Sequence, residues 1–163
     1  MGGFFGVASK SDCMVDVFFG TDYHSHLGTR RAGMAAYDET IGMQREIHNI
    51  ENSPFRTKFE NILNEMKGKS AIGCISDTDP QPLLIRSHLG IYAICIVAKI
   101  NNTEELIDEY LSVSGGHFDA MTAGKVNTTE LVAALISQKH DFVEGIKRAQ
   151  KLIDGTCSIL ILK

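Results

Sequence analysis

The chain has 163 residues, 44% of them hydrophobic, and its 16 Lys and Arg fall short of its 20 Asp and Glu, for a formal net charge of −4. That is enough apolar material for one core, and therefore one domain. With no Lys/Arg run, nucleic acid and anionic membrane surfaces are excluded as main partners. No apolar stretch is long enough to span a bilayer and no secretory signal opens the sequence. Cys13, Cys74, Cys95 and Cys157 are far apart in sequence and form no Cys-x-x-Cys pair. Reduced thiols and a cytoplasmic location are therefore expected, not a disulfide or zinc framework.

The opening stretch, Met1-Gly2-Gly3-Phe4-Phe5-Gly6-Val7, predicts a strand over 3–8. Its glycines weaken a strand interior but permit close backbone approach. Ser11 is placed to cap a helix through Met14, Val15, Val17 and Phe18, with Asp12 in its first turn. A loop from His26 leads into a strand ending at Tyr37, and residues 42–48 read as its hairpin partner. Ser53-Pro54 predicts a helix start with proline at the first helical position. Phe55, Phe59, Ile62, Leu63 and Met66 give that helix one apolar face.

Residues 71–76 read as a strand, and Pro80-Gln81-Pro82 breaks the chain. Residues 83–87 and 90–100 form a further predicted hairpin, its second strand apolar enough to be covered on both faces. A helix is expected from Thr103 through Leu111, ended by Gly115-Gly116. Asn127 and Asp141 open two more helices. Each has a carboxylate three residues later, Glu130 and Glu144, in the manner of a capping box. Residues 156–162 form a last apolar strand. The order of elements predicts an α+β domain with mostly antiparallel sheets covered by helices.

Several polar groups admit two readings each. His24 and His26 could ligate a metal, but no third ligand lies near in sequence, and surface or pocket histidines explain them as well. Asp77 and Asp79 could hold Mg²⁺ or simply form a polar loop before Pro80. Arg30 and Arg31 fit an acidic ligand, a partner domain or a solvated loop. Lys99 could bind an anion or end its strand at the surface. Gly115-Gly116-His117 lacks the surroundings of a phosphate loop.

Phe4-Phe5-Gly6-Val7 resembles the opening of class II glutamine amidotransferases, Met-Cys-Gly-Ile-x-Gly. There the exposed cysteine thiol is the nucleophile and its own amine the base. The likeness extends along the chain to the glutaminase domain of the amidophosphoribosyltransferase family. His26-Leu27-Gly28-Thr29-Arg30-Arg31-Ala32-Gly33-Met34-Ala35 is similar to the family's His-Arg-Gly-Gln-x-Ser-Ala-Gly-Ile-Ala. Ile72-Gly73-Cys74-Ile75-Ser76 is similar to Ile-Gly-His-x-Arg, and Asp79-Pro80-Gln81-Pro82 to Asn-Ala-Gln-Pro. Thr128-Thr129-Glu130-Leu131 resembles a helix start of Asp-Thr-Glu-Val. Gly155 through Leu162 resembles the final Gly-x-Tyr-Ser-Leu-x-x-Leu strand. The resemblance implies the αββα four-layer sandwich of N-terminal-nucleophile hydrolases.

The departures share a theme. Gly2 stands at the nucleophile position. Ser76 replaces the arginine that grips the glutamine carboxylate, and a hydroxyl cannot supply a bidentate guanidinium fork. The Asn-Gly of the oxyanion hole aligns with Lys99-Ile100, before Asn101. Thr128 replaces the aspartate that holds the glutamine amine, and Leu27 replaces the arginine of His-Arg-Gly. Cys74, on the same strand face as Ser76, could be a substitute nucleophile or a plain core thiol.

The resemblance thus marks Gly2, Gly28, Cys74, Ser76, Asp77, Lys99, Ile100, Asn101 and Thr128 as candidate pocket residues. No catalytic residue is intact, and no metal or cofactor is implied. It further implies a domain truncated at its C-terminus, with the family's phosphoribosyltransferase half absent. Three roles are open: an inactive amidotransferase-like domain of a purine-biosynthetic protein, a sensor of glutamine or a related small molecule, or a structural, homo-oligomerising module.

Overall fold

In the computed structural model, which describes residues 2–28 and 30–163, the strands pair into two large antiparallel sheets and one two-stranded hairpin. Met1 of the opening stretch and Thr29 of the His26–Ala35 motif lie outside the described residues. The first sheet has the order β1 (Gly2–Ala8), β4 (Ser70–Ser76), β2 (Arg31–Asp38), β3 (Gly42–Asn49). The second has the order β5 (Leu83–Ser87), β6 (Gly90–Ile100), β9 (Gly155–Leu162). Helices α1 (Met14–Tyr23), α2 (Phe55–Phe59) and α3 (Ile62–Glu65) cover the first sheet. Helices α4 (Thr103–Ser114), α5 (Thr128–Ile136) and α6 (Phe142–Leu152) cover the second.

Strand alternation makes three apolar layers out of two sheets. Ala32, Met34 and Ala36 of β2 and Ala71 and Ile75 of β4 face Met14, Val17, Phe18, Phe55, Phe59 and Ile62. The opposite faces supply Ala35, Ile72 and Cys74, which meet Ala93, Cys95 and Leu162 of the second sheet, with Phe4, Met43 and Leu160 beside them. Tyr92, Ile94 and Ile96 point outward against Leu106, Ile107, Leu131, Leu135 and Ile136. The result is the four-layer αββα sandwich. As expected, β6 is buried on both faces from Tyr92 to Ile96. By contrast β1 is an edge strand and only half-buried.

Local signals located most elements but misassigned some partners. Cys13, not Ser11, occupies the cap position of α1, and it makes no side-chain cap bond. Asp12 instead accepts from the Met14 N–H at 3.3 Å and from the Gly68 N–H at 2.9 Å, tying the helix start to the end of the α3 segment. Pro54 sits at the cap position of α2, and the expected single helix breaks at Glu60-Asn61. Phe55, Phe59, Ile62 and Met66 are nonetheless all buried. The apolar spacing identified the face, which survives a break in the helix.

Asn127 and Asp141 do cap α5 and α6, accepting from the Thr129 and Glu144 N–H groups, each at 2.9 Å. Neither glutamate closes a capping box. Glu130 turns away to accept from the backbone N–H groups of Asp119 and Ala120, at 3.1 and 2.8 Å, which the preceding loop leaves without strand partners. Glu144 pairs with Lys147 at 2.9 Å. A small hairpin, β7 (Met121–Thr122) and β8 (Lys125–Val126), lies in a stretch where no strand was expected. Its turn has Ala123 and Gly124 at φ 51° and 78°.

Candidate functional site

The middle apolar layer ends in an opening between the two sheets. There Gly2 begins β1 and pairs in register with Ser76, the last residue of β4. The second sheet contributes Ile96, Val97 and Ala98 from β6, and the 77–81 loop and Thr128 close the side. The enclosed pocket is small, about 160 Å³. A groove of about 550 Å³ along β5 is larger, but the residues marked from sequence gather at the smaller pocket.

Four of the sequence candidates, Gly2, Ser76, Asp77 and Thr128, line this pocket together. Gly28 is buried just behind, where an added Cβ would stand 3.3 Å from the Asp77 carboxylate. Cys74 points to the same face as Ser76 but is buried one step deeper, in the layer between the sheets. Its thiol is held well above its ordinary pKa, first by burial and then by hydrogen bonding to Cys95. A thiol so protonated is a poor nucleophile. The inert reading of Cys74 is the one that fits.

Lys99, Ile100 and Asn101 are not brought to the pocket. By the time β6 reaches them it has run past the opening. Lys99 is exposed opposite Thr156, Ile100 packs toward the outer layer, and Asn101 donates its N–H to the Asp154 carbonyl at 2.8 Å. The residues of β6 at the pocket lie earlier, at Ile96–Ala98. An unbroken apolar run carries no mark of register, so sequence matching slid along it.

Gly2 is defined by what surrounds it. A Cβ built there would overlap the carbonyl oxygen of Ile75. The neighbouring strand has closed over the space a side chain would need, so any substitution must displace backbone.

The opposite wall is densely bonded. Asp79, 9% exposed, accepts from both the N–H (3.0 Å) and the hydroxyl of Thr128. This sets a carboxylate on the N-terminus of α5, where the helix dipole favours it. Asn127 donates from its side-chain amide to the Pro80 carbonyl at 3.0 Å. Gln81 accepts from the Ile96 N–H at 2.8 Å and donates to the Ile96 carbonyl at 3.1 Å. It also accepts from the Thr129 hydroxyl at 2.9 Å. Beyond Leu83, where β5 no longer accompanies β6, the Gln81 amide acts as a one-residue strand. Neither Asp79 nor Gln81 was a candidate pocket residue from sequence. The signal was a glutamine held between two prolines, fixed in place by both.

The lining includes the carboxylates of Asp77 and Asp79 and, among the described residues, no Lys or Arg. Ser76 accepts from the Thr78 N–H at 3.2 Å. His24 bonds through its ring to the Gly20 carbonyl at 2.8 Å, and both His24 and His26 pack edge-on against Tyr23. Among the described residues no three His, Cys, Asp or Glu side chains converge as metal ligands.

No protein-family model matches the sequence, and no curated protein sequence matches it. Solved structures do match in fold. One is described as the allosteric regulatory enzyme of purine biosynthesis, with a TM-score of 0.82 and 24% identity over 99% of this chain. Another is glutamine phosphoribosylpyrophosphate amidotransferase from B. subtilis complexed with ADP and GMP, with a TM-score of 0.82 and 24% identity over 100% of this chain. The chain therefore has the glutamine amidotransferase fold of amidophosphoribosyltransferases, and it spans 35% of the length of each of those chains.

Proposed function

We propose that this chain is the glutamine amidotransferase-like domain of an amidophosphoribosyltransferase-like protein, and that it has lost the glutaminase reaction. The observation that carries this reading is Gly2. At the head of the pocket it offers no nucleophile, and the Ile75 carbonyl fills the space for one. The rest of the pocket points the same way. Among the described residues the lining holds no Lys or Arg to grip a glutamine carboxylate, and Ser76 stands where the resembling family has an arginine. Asp79, the buried carboxylate that could hold an amine, is already bonded to Thr128.

In the longer protein, a phosphoribosyltransferase half would make phosphoribosylamine from phosphoribosyl pyrophosphate with ammonia in place of glutamine. The test is glutamate release from L-glutamine by the purified chain. The reading expects none above buffer, and enzyme-dependent release at any saturable rate overturns it.

The bonded wall of Asp79, Gln81 and Asn127, which keeps the pocket's frame, favours a second reading, in which the pocket holds glutamine or a related small metabolite without chemistry and reports it to an attached domain. A rise in thermal stability with such a small molecule supports that role. No response removes it.

A further inference from the structure

Beneath the Gly2 pocket lies a pair of thiols. Ser76 on β4 and Val97 on β6 line the pocket. Side chains alternate along a strand, so the next residues inward on the same two faces are Cys74 and Cys95. Both are buried in the layer between the sheets, and their thiols are hydrogen-bonded to each other. Each sheet thus contributes one sulfur to a contact that joins the two halves of the sandwich.

The surroundings let the sheets come close here. Gly33 stands beside Cys74 in register, and Ala35 and Ala93 belong to the same layer. The other two cysteines lie elsewhere, Cys13 in the layer beneath α1 and Cys157 in the outer layer of the second sheet. Neither is placed to compete for Cys74 or Cys95.

We propose that Cys74 and Cys95 are an oxidation site, at which a peroxide entering through the pocket joins the two sheets by a disulfide. One sulfur attacks a peroxide oxygen, the O–O bond breaks, and a sulfenic acid and water form. The second sulfur attacks the first, the S–O bond breaks, and a second water leaves. One S–H proton ends in each water; the two sulfurs together lose two electrons, and the peroxide gains them. As a lone nucleophile the Cys74 thiol is poor, so the first step is slow. The pair adds a second sulfur already in contact, which captures the sulfenic acid before it oxidises further. The bond would fix the separation of the sheets next to Ser76 and Val97, at the floor of the pocket. The inference does not depend on whether the pocket acts on glutamine.

The probe is hydrogen peroxide added to the folded chain, followed by alkylation in denaturant and peptide mapping. Met121, exposed on the β7–β8 hairpin, reports the dose by forming its sulfoxide. By the time Met121 is fully converted, a Cys74–Cys95 cross-linked peptide should be present. Amide exchange at Ser76 and Val97 should be slower in the cross-linked chain than in the reduced one. Full conversion of Met121 with Cys74 and Cys95 both alkylated overturns the proposal. So does oxidation of either thiol to a sulfinic acid, its pairing with Cys13 or Cys157, or a cross-link that forms only in urea-unfolded chain.

Discussion

The two walls of the Gly2 pocket are built in opposite ways. The wall formed by β1 and β4 is bare, with Gly2 lacking a side chain and Ser76 engaged, among the described residues, with the nearby Thr78 N–H. The wall formed by the 79–81 loop and the start of α5 is crowded with bonds, in which Asp79, Asn127, Gln81 and Thr129 join the loop to the helix and to β6. The difference teaches that a pocket's shape and its chemistry can be held by separate residues. The bonded wall keeps the two sheets and α5 in register whether or not the bare wall does anything to a ligand.

Substitutions should separate the two walls sharply. Gln81→Leu removes the partner of the Ile96 N–H, the Ile96 carbonyl and the Thr129 hydroxyl at once, and should cost about 3 kcal/mol in urea unfolding. Asn127→Ala loses the α5 cap and the Pro80 tie, and should cost about 2 kcal/mol by the same measurement. On the bare wall, Gly2→Cys should shift the Ile75 carbonyl at a cost of about 1 kcal/mol. It should still yield no glutamate from glutamine, because a thiol alone restores neither the carboxylate grip nor the amine grip. A Gly2→Cys chain that hydrolyses glutamine would show that only the nucleophile was lost. Ser76→Ala, which removes only the acceptor of the Thr78 N–H, should cost no more than about 1 kcal/mol. A larger loss would mean that this wall is structural after all.

Away from both walls, Cys157 on β9 gives an effect confined to high pH, with a clear sign. Burial raises its thiol from 9.0 to about 11. The folded chain therefore retains a proton that the unfolded chain releases. The stabilisation is complete below pH 9 and is lost as the pH rises toward 11. Cys157→Ala should flatten the decline in melting temperature across that window, leaving the part due to Cys13 and Cys74, whose thiols are also raised.

Much of the fold was legible because its local signals are strong. The β5–β6 hairpin, the caps of α5 and α6 and the apolar final strand all stand where composition and periodicity put them. The break between α2 and α3 was hidden because the apolar spacing runs straight through it. The β7–β8 hairpin was hidden because each strand has only two residues. The candidate site was half legible. Glycine and serine at the ends of β1 and β4 stood out against the resembling pattern. The Asp79–Gln81 network depends on contacts nearly fifty residues apart, which no local signal reports. The β6 wall was misplaced onto Lys99-Ile100 because Ile91 through Ala98 offer no polar landmark to set the register.

The central claim is that the pocket has kept its frame and lost its hold on glutamine. Calorimetric titration of the chain with L-glutamine tests it most directly. The account predicts no saturable heat, since among the described residues the lining holds no Lys or Arg for the substrate's carboxylate. Saturable binding at millimolar affinity or better would contradict it, and would mean that Ser76 and Thr128 recognise what a guanidinium and a carboxylate were expected to hold.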